Sequence, residues 1–385
     1  MHIKNVLIIG ADGYIGWPLF LELYDKLSKA KFTLLDNCIT REKVASLGGH
    51  SLLPISSFKQ RVESLNCNNV NYVNGSTLNK ELVDSLIKEK FDIIFHLGHL
   101  RTAPFSMKSY ENCYETVQNN ELGFLNIIWS LKEYSRNTVL VKLGSFGAYA
   151  PSGVEVPEGD ITLTINNVSS ELVPFPKQAN DFYHITKAND SLFARAACNN
   201  WGLKIVDVMQ STVFGSTTEA TVKYNQHTRL DYDDVYGTVV NRFITQALLG
   251  IPLTVYGGGE HSTGIMVLAD AVRVLASLVE IDIDKGQYLI INNNPQSYKI
   301  INIANMVVDE FSKIGKFVQL DKETYDPRNE KGVLSKVTSA ESLYSKSFLK
   351  ETPICKEIEN SINQLSEHKA SINKDLILPK FNWND

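Results

Sequence analysis

The chain has 385 residues, 43% of them hydrophobic and 21% charged, which is the composition of a globular protein with ample apolar material for a core. Its net charge of −5 and its scattered Lys and Arg residues exclude a general nucleic-acid binder, because a phosphate backbone requires clustered positive charge. No apolar run approaches ~20 residues, so we expect no membrane span. No CxxC motif occurs among the cysteines, so we expect neither a metal site nor a disulfide framework. Because no leader precedes the first strand, we expect a cytoplasmic protein.

Short apolar runs alternate with helical patterns through the first half of the chain. The sequence predicts strands at 6–9, 32–35, 70–73, 93–96 and 139–143, and helices at 14–29, 79–89 and 111–134. This alternation indicates an α/β fold with a Rossmann-type, doubly wound parallel sheet. Such strands are buried on both faces, which explains their nearly continuous Val, Ile and Leu.

Residues 151–180 interrupt this rhythm with four prolines and an alternating run at 161–165, which predicts a hairpin-like insertion near the cleft. A helix follows from near Asp181. The sequence then predicts a strand at 205–209 and helices near 237–249 and 269–280. We therefore predict a sheet domain over 1–214, a smaller lobe built mainly within 215–370 (from 215–265 and 295–370), and a C-terminal arm over 371–385.

A glycine-rich segment, GADGYIG at residues 10–16, follows the first predicted strand and opens the first helix. Gly10 permits a tight turn, Gly13 lets a pyrophosphate approach the backbone, and Gly16 lets the helix pack against the strand. The helix N-terminus then faces the phosphates with unpaired N–H groups. Asp36 ends the second strand, where a carboxylate would bind the adenosine ribose hydroxyls and repel the 2′-phosphate of NADP. The pattern predicts an NAD site; the alternative is a glycine turn in a non-binding α/β protein.

Tyr183 and Lys187 have the YxxxK spacing within a predicted helix. Residues i and i+4 share a helix face, so both side chains can reach one ligand. Tyrosine, with a pKa of about 10, is a poor base at neutral pH, but a nearby ammonium and a positive nicotinamide ring favour its phenolate. Tyr183 is then the expected base for a substrate hydroxyl, and Lys187 also holds the nicotinamide ribose. The spacing alone also occurs on exposed helix faces, but the upstream glycine-rich segment favours catalysis.

Other polar residues lie where strand ends should face a ligand. Ser145 follows the strand at 139–143, where its hydroxyl would bond the reacting oxygen unless it is a simple turn serine. Asn120 either orients the catalytic groups or is a capping or core asparagine, and His96 is expected to be buried. The remaining expected cofactor contacts are Asp12, Tyr14, Ile15, Asn37, Ser76, Leu97, Gly98, Asn120 and Val213.

These residues make the chain resemble the extended short-chain dehydrogenases, and within them the UDP-sulfoquinovose synthases, over roughly residues 5–345. The stretches that carry the resemblance are GADGYIGW (10–17), SLLPISS (51–57), HLGHLRTAPFSM (96–107), VKLGSFGAYA (141–150), PFPKQANDFYHITKANDS (174–191), TRLDYDDVYGTVVNRF (228–243) and PLTVYGGG (252–259). The fifth and sixth are unusual in the wider superfamily, which makes the resemblance specific.

The resemblance implies an NAD-dependent reaction on a nucleotide-linked sugar held by the smaller lobe. In that family C4 of UDP-glucose is oxidised, the ketone acidifies the C5 proton, water leaves from C6, sulfite adds and hydride returns to C4. By position, Tyr183 is the C4 base with Lys187 as its partner, and Ser145 stands where the family has threonine. The implied substrate-binding residues are Arg101, Phe146, His184, Gln210, Arg229, Arg242 and Arg328. A homodimer is also implied, through helices such as 111–134 and 181–199.

The chain departs from the family at several positions. His99 and Leu100 replace a Glu-Gln pair, Ala148 replaces a glutamate that is a plausible acid or base for elimination, and Thr263 replaces an arginine. His99 could substitute as the acid/base, because its unperturbed pKa of ~6.5 suits that role. The alternatives are an NDP-sugar 4-epimerase or dehydratase that shares the first half-reaction, and a non-catalytic NAD-binding scaffold. Retention of Tyr183 and Lys187 argues against the scaffold.

Overall fold

The computed structural model describes residues 3–149, 156–293, 296–323 and 351–378. The strands are β1 (Asn5–Ile9), β2 (Lys31–Asp36), β3 (Val70–Asn74), β4 (Ile93–His96), β5 (Val139–Ser145), β6 (Asp160–Ile165), β7 (Val168–Pro174), β8 (Lys204–Gln210), β9 (Thr212–Phe214), β10 (Leu253–Tyr256), β11 (Ser262–Val267), β12 (Tyr288–Asn293), β13 (Gln296–Lys299) and β14 (Leu320–Glu323). The helices are α1 (Gly16–Lys26), α2 (Ile39–Ser46), α3 (Phe58–Glu63), α4 (Lys80–Ile87), α5 (Ala103–Met107), α6 (Tyr110–Val117), α7 (Gly123–Tyr134), α8 (Phe182–Trp201), α9 (Glu219–Lys223), α10 (Val239–Leu249), α11 (Leu268–Ser277), α12 (Ile300–Lys313) and α13 (Ile354–Ser366).

Seven strands of the described chain form one parallel sheet in the order β12-β8-β5-β4-β1-β2-β3. This confirms the predicted Rossmann-type, doubly wound α/β fold. The chain order reverses between β1 and β4, so the loops after these two strands diverge and leave a crevice at their carboxyl ends. The glycine-rich segment follows β1, and Leu97 and Gly98 follow β4.

Both faces of the sheet are covered, as the apolar strands predict. Along β1, Val6 and Ile8 belong to one core with α1 and α11, whereas Leu7 and Ile9 belong to a second core with α4, α7 and α8. The alternation follows from the two-residue period of a strand. Within the described residues, no helix combines the length and apolar character that crossing a membrane would require.

The helix expected over 111–134 contains a local change of winding. Residues Gln118–Leu122 form a π-helical turn between α6 and α7. Such turns insert one extra residue into an α-helix and often occur at functional sites. Here the turn buries Asn119 and Asn120 against the loop that follows β4. Hydrophobic periodicity predicts the helix but carries no signal for this irregularity.

A smaller lobe has its own apolar core, formed by residues of α10, α12 and α13. Leu52 and Leu53, from the loop before α3, and Ile372 and Ile377, from the predicted C-terminal arm, pack into the same core. Residues 268–293 instead pack with the main sheet, since α11 lies against α1 and β12 pairs with β8. The interval 215–370 therefore contributes to both parts of the molecule.

The insertion contains an antiparallel hairpin of β6 and β7. It is attached to the sheet domain by an ion pair between Arg195 of α8 and Asp160. Glu158, just before the hairpin, accepts the backbone N–H of Asn292 in β12 at 2.7 Å. These contacts hold the hairpin beside the carboxyl end of the sheet.

Two opposite charges lie inside the sheet itself. Lys142 of β5 and Asp207 of β8 are paired in register, and both side chains are fully buried, with 2.7 Å between Nζ and Oδ1. Asp207 also accepts hydrogen bonds from Ser191 and Tyr288, each at 2.6 Å. Burial raises the pKa of Asp207, but the adjacent lysines outweigh it and the pKa lies well below its ordinary value. Asp207 is therefore ionised and must keep its partners.

Lys142→Met should lower the free energy of unfolding by ~3–5 kcal/mol, because the buried Asp207 carboxylate loses its ammonium partner at 2.7 Å and keeps only Lys177, at 3.8 Å. The double variant Lys142→Met/Asp207→Asn should recover most of this loss. Urea denaturation followed by circular dichroism measures both. Lys223→Met is the control: it removes the exposed partner of Asp25 and should cost less than ~1 kcal/mol. Equal losses for Lys142→Met and Lys223→Met would contradict the prediction.

Candidate active site

A cavity of about 630 Å³ opens between the carboxyl ends of the parallel strands and the smaller lobe. It brings together most of the residues that the sequence predicts. These are Gly10, Gly13, Tyr14, Ile15, Gly16, Asp36, Asn37, Ser76, Leu97, Gly98, His99, Arg101, Ser145, Phe146, Tyr183, His184, Lys187, Gln210, Val213, Arg229 and Arg242. Of the predicted residues, Asp12 and Asn120 do not line this cavity, and Arg328 lies outside the described residues.

The glycine-rich turn leaves no room for side chains where it meets the next loop. Gly10 has φ +84°, and a Cβ there would lie 2.6 Å from the backbone N of Gly98. A Cβ on Gly16 would lie 2.0 Å from the carbonyl O of Gly10. The Tyr14 hydroxyl donates to the carbonyl of Gly215 at 2.6 Å, which ties the turn to the lobe. The turn therefore offers backbone atoms to the cavity, as a phosphate cradle requires.

Asp36 ends β2 at one end of the cavity. Its carboxylate accepts the backbone N–H of Asp12 at 2.8 Å and that of Cys38 at 2.7 Å. Burial, with the nearby Asp12 carboxylate, raises the pKa of Asp36 to about 6. The side chain is held rigidly at the edge where a ribose diol would be recognised.

Asp12, a predicted cofactor contact, does not line the cavity. Arg41 and Arg61 both bind its carboxylate, at 2.7 Å each. The Arg61 guanidinium is buried and lies 4.0 Å from the centre of the Trp17 ring. Asp12 therefore braces the glycine-rich turn from behind instead of lining the cavity. No local sequence pattern predicts these two contacts, because Arg41 and Arg61 lie 29 and 49 residues downstream.

Tyr183 and Lys187 lie on the first two turns of α8, which Asp181 caps by accepting the His184 N–H at 2.9 Å. The Tyr183 N–H donates to the Ser106 hydroxyl, and Lys187 Nζ donates to the Leu143 carbonyl at 2.6 Å. Nζ of Lys187 lies 5.8 Å from the centre of the Tyr183 ring. Burial raises the pKa of Tyr183 and lowers that of Lys187 to about 7. The phenolate therefore depends on positive charge around it.

Ser145, Gly147 and His184 form one wall beside this pair. Ser145 accepts the Gly147 N–H at 3.2 Å, at the carboxyl end of β5. The His184 ring is anchored at Nδ1, 2.6 Å from Asp181 Oδ2, and its Nε2 edge lies against Gly147. A Cβ on Gly147 would lie 2.2 Å from that Nε2. Phe146 belongs to the same short turn, so the predicted substrate-facing residues of this region lie together.

Asn120 is buried beneath the cavity. Its side chain bonds the backbone N–H and C=O of Leu100 at 2.8 and 3.1 Å, and donates to Thr186 Oγ1 at 3.0 Å. It therefore joins the loop after β4 to α8. The sequence left open whether Asn120 orients the catalytic groups or is a capping or core asparagine. The side chain is buried, as a core asparagine would be, and its hydrogen bonds also allow it to orient α8.

His99 borders the cavity, but its side chain is only 3% exposed. Its Nε2 lies 2.6 Å from Asp190 Oδ2 on α8, and its ring lies 4.4 Å from that of His96, centre to centre. Burial lowers the pKa of His99 well below its ordinary value, with Lys187 adding to the effect, so the ring is neutral at pH 7. This placement favours a supporting role over direct acid/base contact with the substrate.

Two of the predicted substrate arginines converge on one carboxylate. Arg101 and Arg229 both bind Asp231, and Arg101 also donates to the Tyr236 carbonyl at 3.1 Å. Asp231 thereby fixes guanidinium groups from the loop after β4 and from the lobe. Arg242, on α10, lines the cavity as well. Sequence reasoning missed Asp231, although its position two residues after Arg229 was a signal.

The charged residues inside the strands were also missed. Lys142 and Asp207 do not reach the cavity lining, yet both lie within the electrostatic range of Lys187. A lysine inside VLVKLGS and an aspartate inside KIVDVMQ interrupt otherwise apolar strands, and that was the available signal. Ala148 is fully buried outside the cavity lining, whereas Thr263 lines it.

Comparison with known proteins gives a consistent family. Residues 6–292 match the model of the NAD-dependent epimerase/dehydratase family. The chloroplastic UDP-sulfoquinovose synthase of Spinacia oleracea is 32% identical over 395 aligned residues, covering 99% of this chain and 79% of the relative. The UDP-sulfoquinovose synthase of Sulfolobus acidocaldarius is 31% identical over 385, covering 98% and 97%. The fold matches a UDP-glucuronic acid 4-epimerase from Bacillus cereus, solved with UDP-glucuronic acid and NAD, with TM-score 0.68, 17% identity and coverage of 94% and 99%.

Gly147→Ala should lower the free energy of unfolding by ~1–3 kcal/mol, because the new methyl group collides with the fixed His184 ring. In a His184→Ala background the same change should cost less than ~1 kcal/mol, since the collision is removed. Urea denaturation of the four proteins in this cycle measures the coupling. Equal costs in both backgrounds would mean that the ring does not lie against Gly147.

Proposed function

This chain belongs to the NAD-dependent epimerase/dehydratase family, and we propose that it modifies a UDP-linked sugar through a transient 4-keto intermediate, as a UDP-sulfoquinovose synthase acting on UDP-glucose and sulfite. The observation that carries the proposal is the convergence of Tyr183, Lys187 and Ser145 with the glycine-rich turn on one cavity. The specific reaction follows the two relatives at 31–32% identity over nearly the whole chain.

The cavity fits NAD as the cofactor. Gly10 and Gly16 exclude side chains from the turn, and Asp36 stands at the end of β2 with its carboxylate held by two backbone N–H groups. A fixed carboxylate suits a ribose diol and disfavours the additional phosphate of NADP. Lys187, which also lines the cavity, would hold the other ribose. NAD, when bound there, supplies the acceptor for the hydride from the sugar.

Tyr183 is the proposed base for the C4 hydroxyl. Its phenolate would take the hydroxyl proton during oxidation and return it during reduction. Arg101 already opposes the effect of burial on the pKa of Tyr183, and the Lys187 ammonium adds positive charge from the next helical turn. Ser145 would hold the reacting oxygen through its hydroxyl.

The arginines give the cavity a region suited to a diphosphate. Arg101 and Arg229 are pre-positioned by Asp231, and Arg242 lines the same region. Guanidinium groups bind phosphate oxygens with paired, directional hydrogen bonds. Because their counter-ion already orders them, little side-chain entropy would be lost on binding. We propose that they hold the nucleotide diphosphate, and that His184 and Gln210 face the sugar.

A second candidate is a 4-epimerase or dehydratase that does not add sulfite. Two placements favour it. Ala148 is buried where the resemblance implies a glutamate for elimination, and the His99 ring is turned to Asp190 and does not replace that carboxylate in the cavity. The oxidation half-reaction is common to both candidates, so they differ only in the fate of the 4-keto sugar.

We also propose that the protein is a homodimer. Exposed apolar side chains on the π turn, α7 and α8 support this: Leu122 is 48% exposed, Trp129 43% and Leu192 58%. A second copy of the chain could cover this surface by packing the same helices against it.

The decisive experiment is incubation of the purified protein with UDP-glucose, with and without sulfite, followed by mass spectrometry of the nucleotide sugars. A sulfite-dependent gain of mass on the sugar is the expected result. An isomer or a water-loss product alone would select the second candidate. If the protein binds NAD but converts none of the nucleotide sugars tested, the non-catalytic NAD-binding scaffold is the hypothesis that remains.

Tyr183→Phe provides the matched control for that assay. The variant should lose at least ~100-fold in turnover, because it retains the ring but lacks the proton-transfer group. Its NAD content, measured by absorbance after denaturation of the protein, should match the parent. Near-normal turnover in Tyr183→Phe would remove this residue from the mechanism.

Asp36→Asn should weaken NAD binding about 10-fold, because an amide is a poorer acceptor for two ribose hydroxyls. The preference for NAD over NADP should narrow, since the charge that repels the 2′-phosphate is removed. Isothermal titration of the cofactor-stripped protein with both dinucleotides measures the two affinities. An unchanged ratio of affinities would show that Asp36 does not select the cofactor.

A further inference from the structure

A cluster of buried charges lies directly behind the catalytic pair. It contains three ammonium groups, from Lys142, Lys177 and Lys187, and two carboxylates, from Asp190 and Asp207. Lys177 is 12% exposed and the other four are at most 2% exposed, so each of these buried charges requires a compensating partner. The function proposed above uses only Lys187 from this cluster.

Asp207 is already fully engaged. It pairs with Lys142 at 2.7 Å, accepts from Ser191 and Tyr288 at 2.6 Å, and has Lys177 Nζ at 3.8 Å. These contacts occupy most of the acceptor sites of the carboxylate. Asp207 is therefore a weak candidate for the counter-ion of Lys187.

Asp190 is the carboxylate that remains. It lies three residues after Lys187 on α8, and residues at this spacing share a helix face. Its Oδ2 lies 2.6 Å from His99 Nε2, whereas its Oδ1 is buried without a hydrogen bond to any atom of the described chain. The neutral His99 ring can donate only one N–H, and the contact at Nε2 places that proton toward Asp190.

We propose that His99 and Asp190 are positioning residues that act as a buried counter-ion unit for Lys187. His99 donates Nε2–H to Asp190 and so stabilises its carboxylate, and the carboxylate stabilises the Lys187 ammonium. The part of the proposal that concerns catalysis rests on the proposed function, because the ammonium in turn favours the Tyr183 phenolate. No bond to the substrate is made by either residue.

The electrostatic environment is consistent with this assignment. Burial lowers the pKa of Lys187 to about 7, and Asp190 is the strongest opposing influence, ahead of Asp207. Burial raises the pKa of Asp190 to about 7, and Lys142 and Lys187 oppose that rise. Lys187 and Asp190 thus each favour the charged form of the other.

Other charged groups surround the unit and do not replace it. Lys177 approaches from the segment after β7 and Lys142 from β5, and both are positive, so they lower the pKa of Lys187 or Asp190. Three charged groups act on the pKa of Tyr183 directly: Arg101 lowers it, whereas Asp181 and Asp190 raise it. His96 packs on the His99 ring and on Phe124, and burial lowers its pKa well below the ordinary value, so it contributes no charge.

The test is the titration of Lys187 in protein labelled with [13Cε]lysine and followed by NMR, with the signal assigned by its loss in Lys187→Met. Asp190→Asn keeps the size of the side chain and removes its charge, so the midpoint of the Lys187 titration should fall by about 1–3 pH units. His99→Phe should shift the midpoint in the same direction by a smaller amount. His96→Phe, a change of the same size in the neighbouring ring, should leave the midpoint within ~0.3 unit of the parent value.

An unchanged midpoint in Asp190→Asn would overturn the counter-ion assignment, and an unchanged midpoint in His99→Phe alone would remove His99 from it. Circular dichroism of each variant separates this effect from loss of the fold; should His99→Phe not fold, His99→Gln takes its place. The pH profile of turnover is the second readout: both limbs should move to lower pH in Asp190→Asn, whereas a merely structural defect lowers the rate without moving them. The titration needs no sugar, so a negative UDP-glucose assay with a shifted midpoint would reject the proposed function and keep this inference.

Discussion

The structure depends on the neutralisation of charges buried beneath α8. This helix carries Tyr183 and Lys187 toward the cavity, and it can do so only by burying its own polar side chains against β5 and β8. An ammonium inside a protein is stable only with a partner, because the loss of hydration is costly. The Lys142–Asp207 pair across the two strands supplies one compensation, at 2.7 Å. Asp190, which is in contact with His99, is a second buried carboxylate that can compensate an ammonium.

Many of the polar side chains that line the cavity lie at one edge of the sheet. Parallel strands end together, and their loops are free of the hydrogen bonding that fixes the strands. Gly10 and Gly98 meet there at a distance that excludes a Cβ, so the turn after β1 is open to a ligand while the loop after β4 supports it. Asp12 reinforces this turn through Arg41 and Arg61 from outside the cavity. The cavity is therefore rigid where phosphates are expected.

How much of the structure can be predicted from the sequence depends on how far apart along the chain the interacting residues lie. Strand and helix periodicity is local, so six strands of the sheet were predicted closely, whereas β12 was not predicted. The hairpin of β6 and β7 lies within the predicted insertion. Motif spacing is also local, which is why Tyr183 and Lys187 were recognised together. The partners of Asp12 and of His99 lie 29 to 91 residues away, and no local pattern links them. The π turn at Asn120 arises from tertiary contacts with Leu100 and Thr186, and helical periodicity does not encode it.

His99 shows how burial changes the interpretation of a residue. A histidine next to a glycine at a strand end suggests an acid/base, because free imidazole titrates near neutral pH. Burial removes that property, since an imidazolium without solvent is disfavoured and the neutral ring becomes a hydrogen-bond donor of fixed direction. The donor is then directed at Asp190, which lies three residues after Lys187 on α8. In the proposed arrangement His99 exchanges no proton with a substrate. It acts through Asp190 on the charge of Lys187, which in turn assists the base Tyr183.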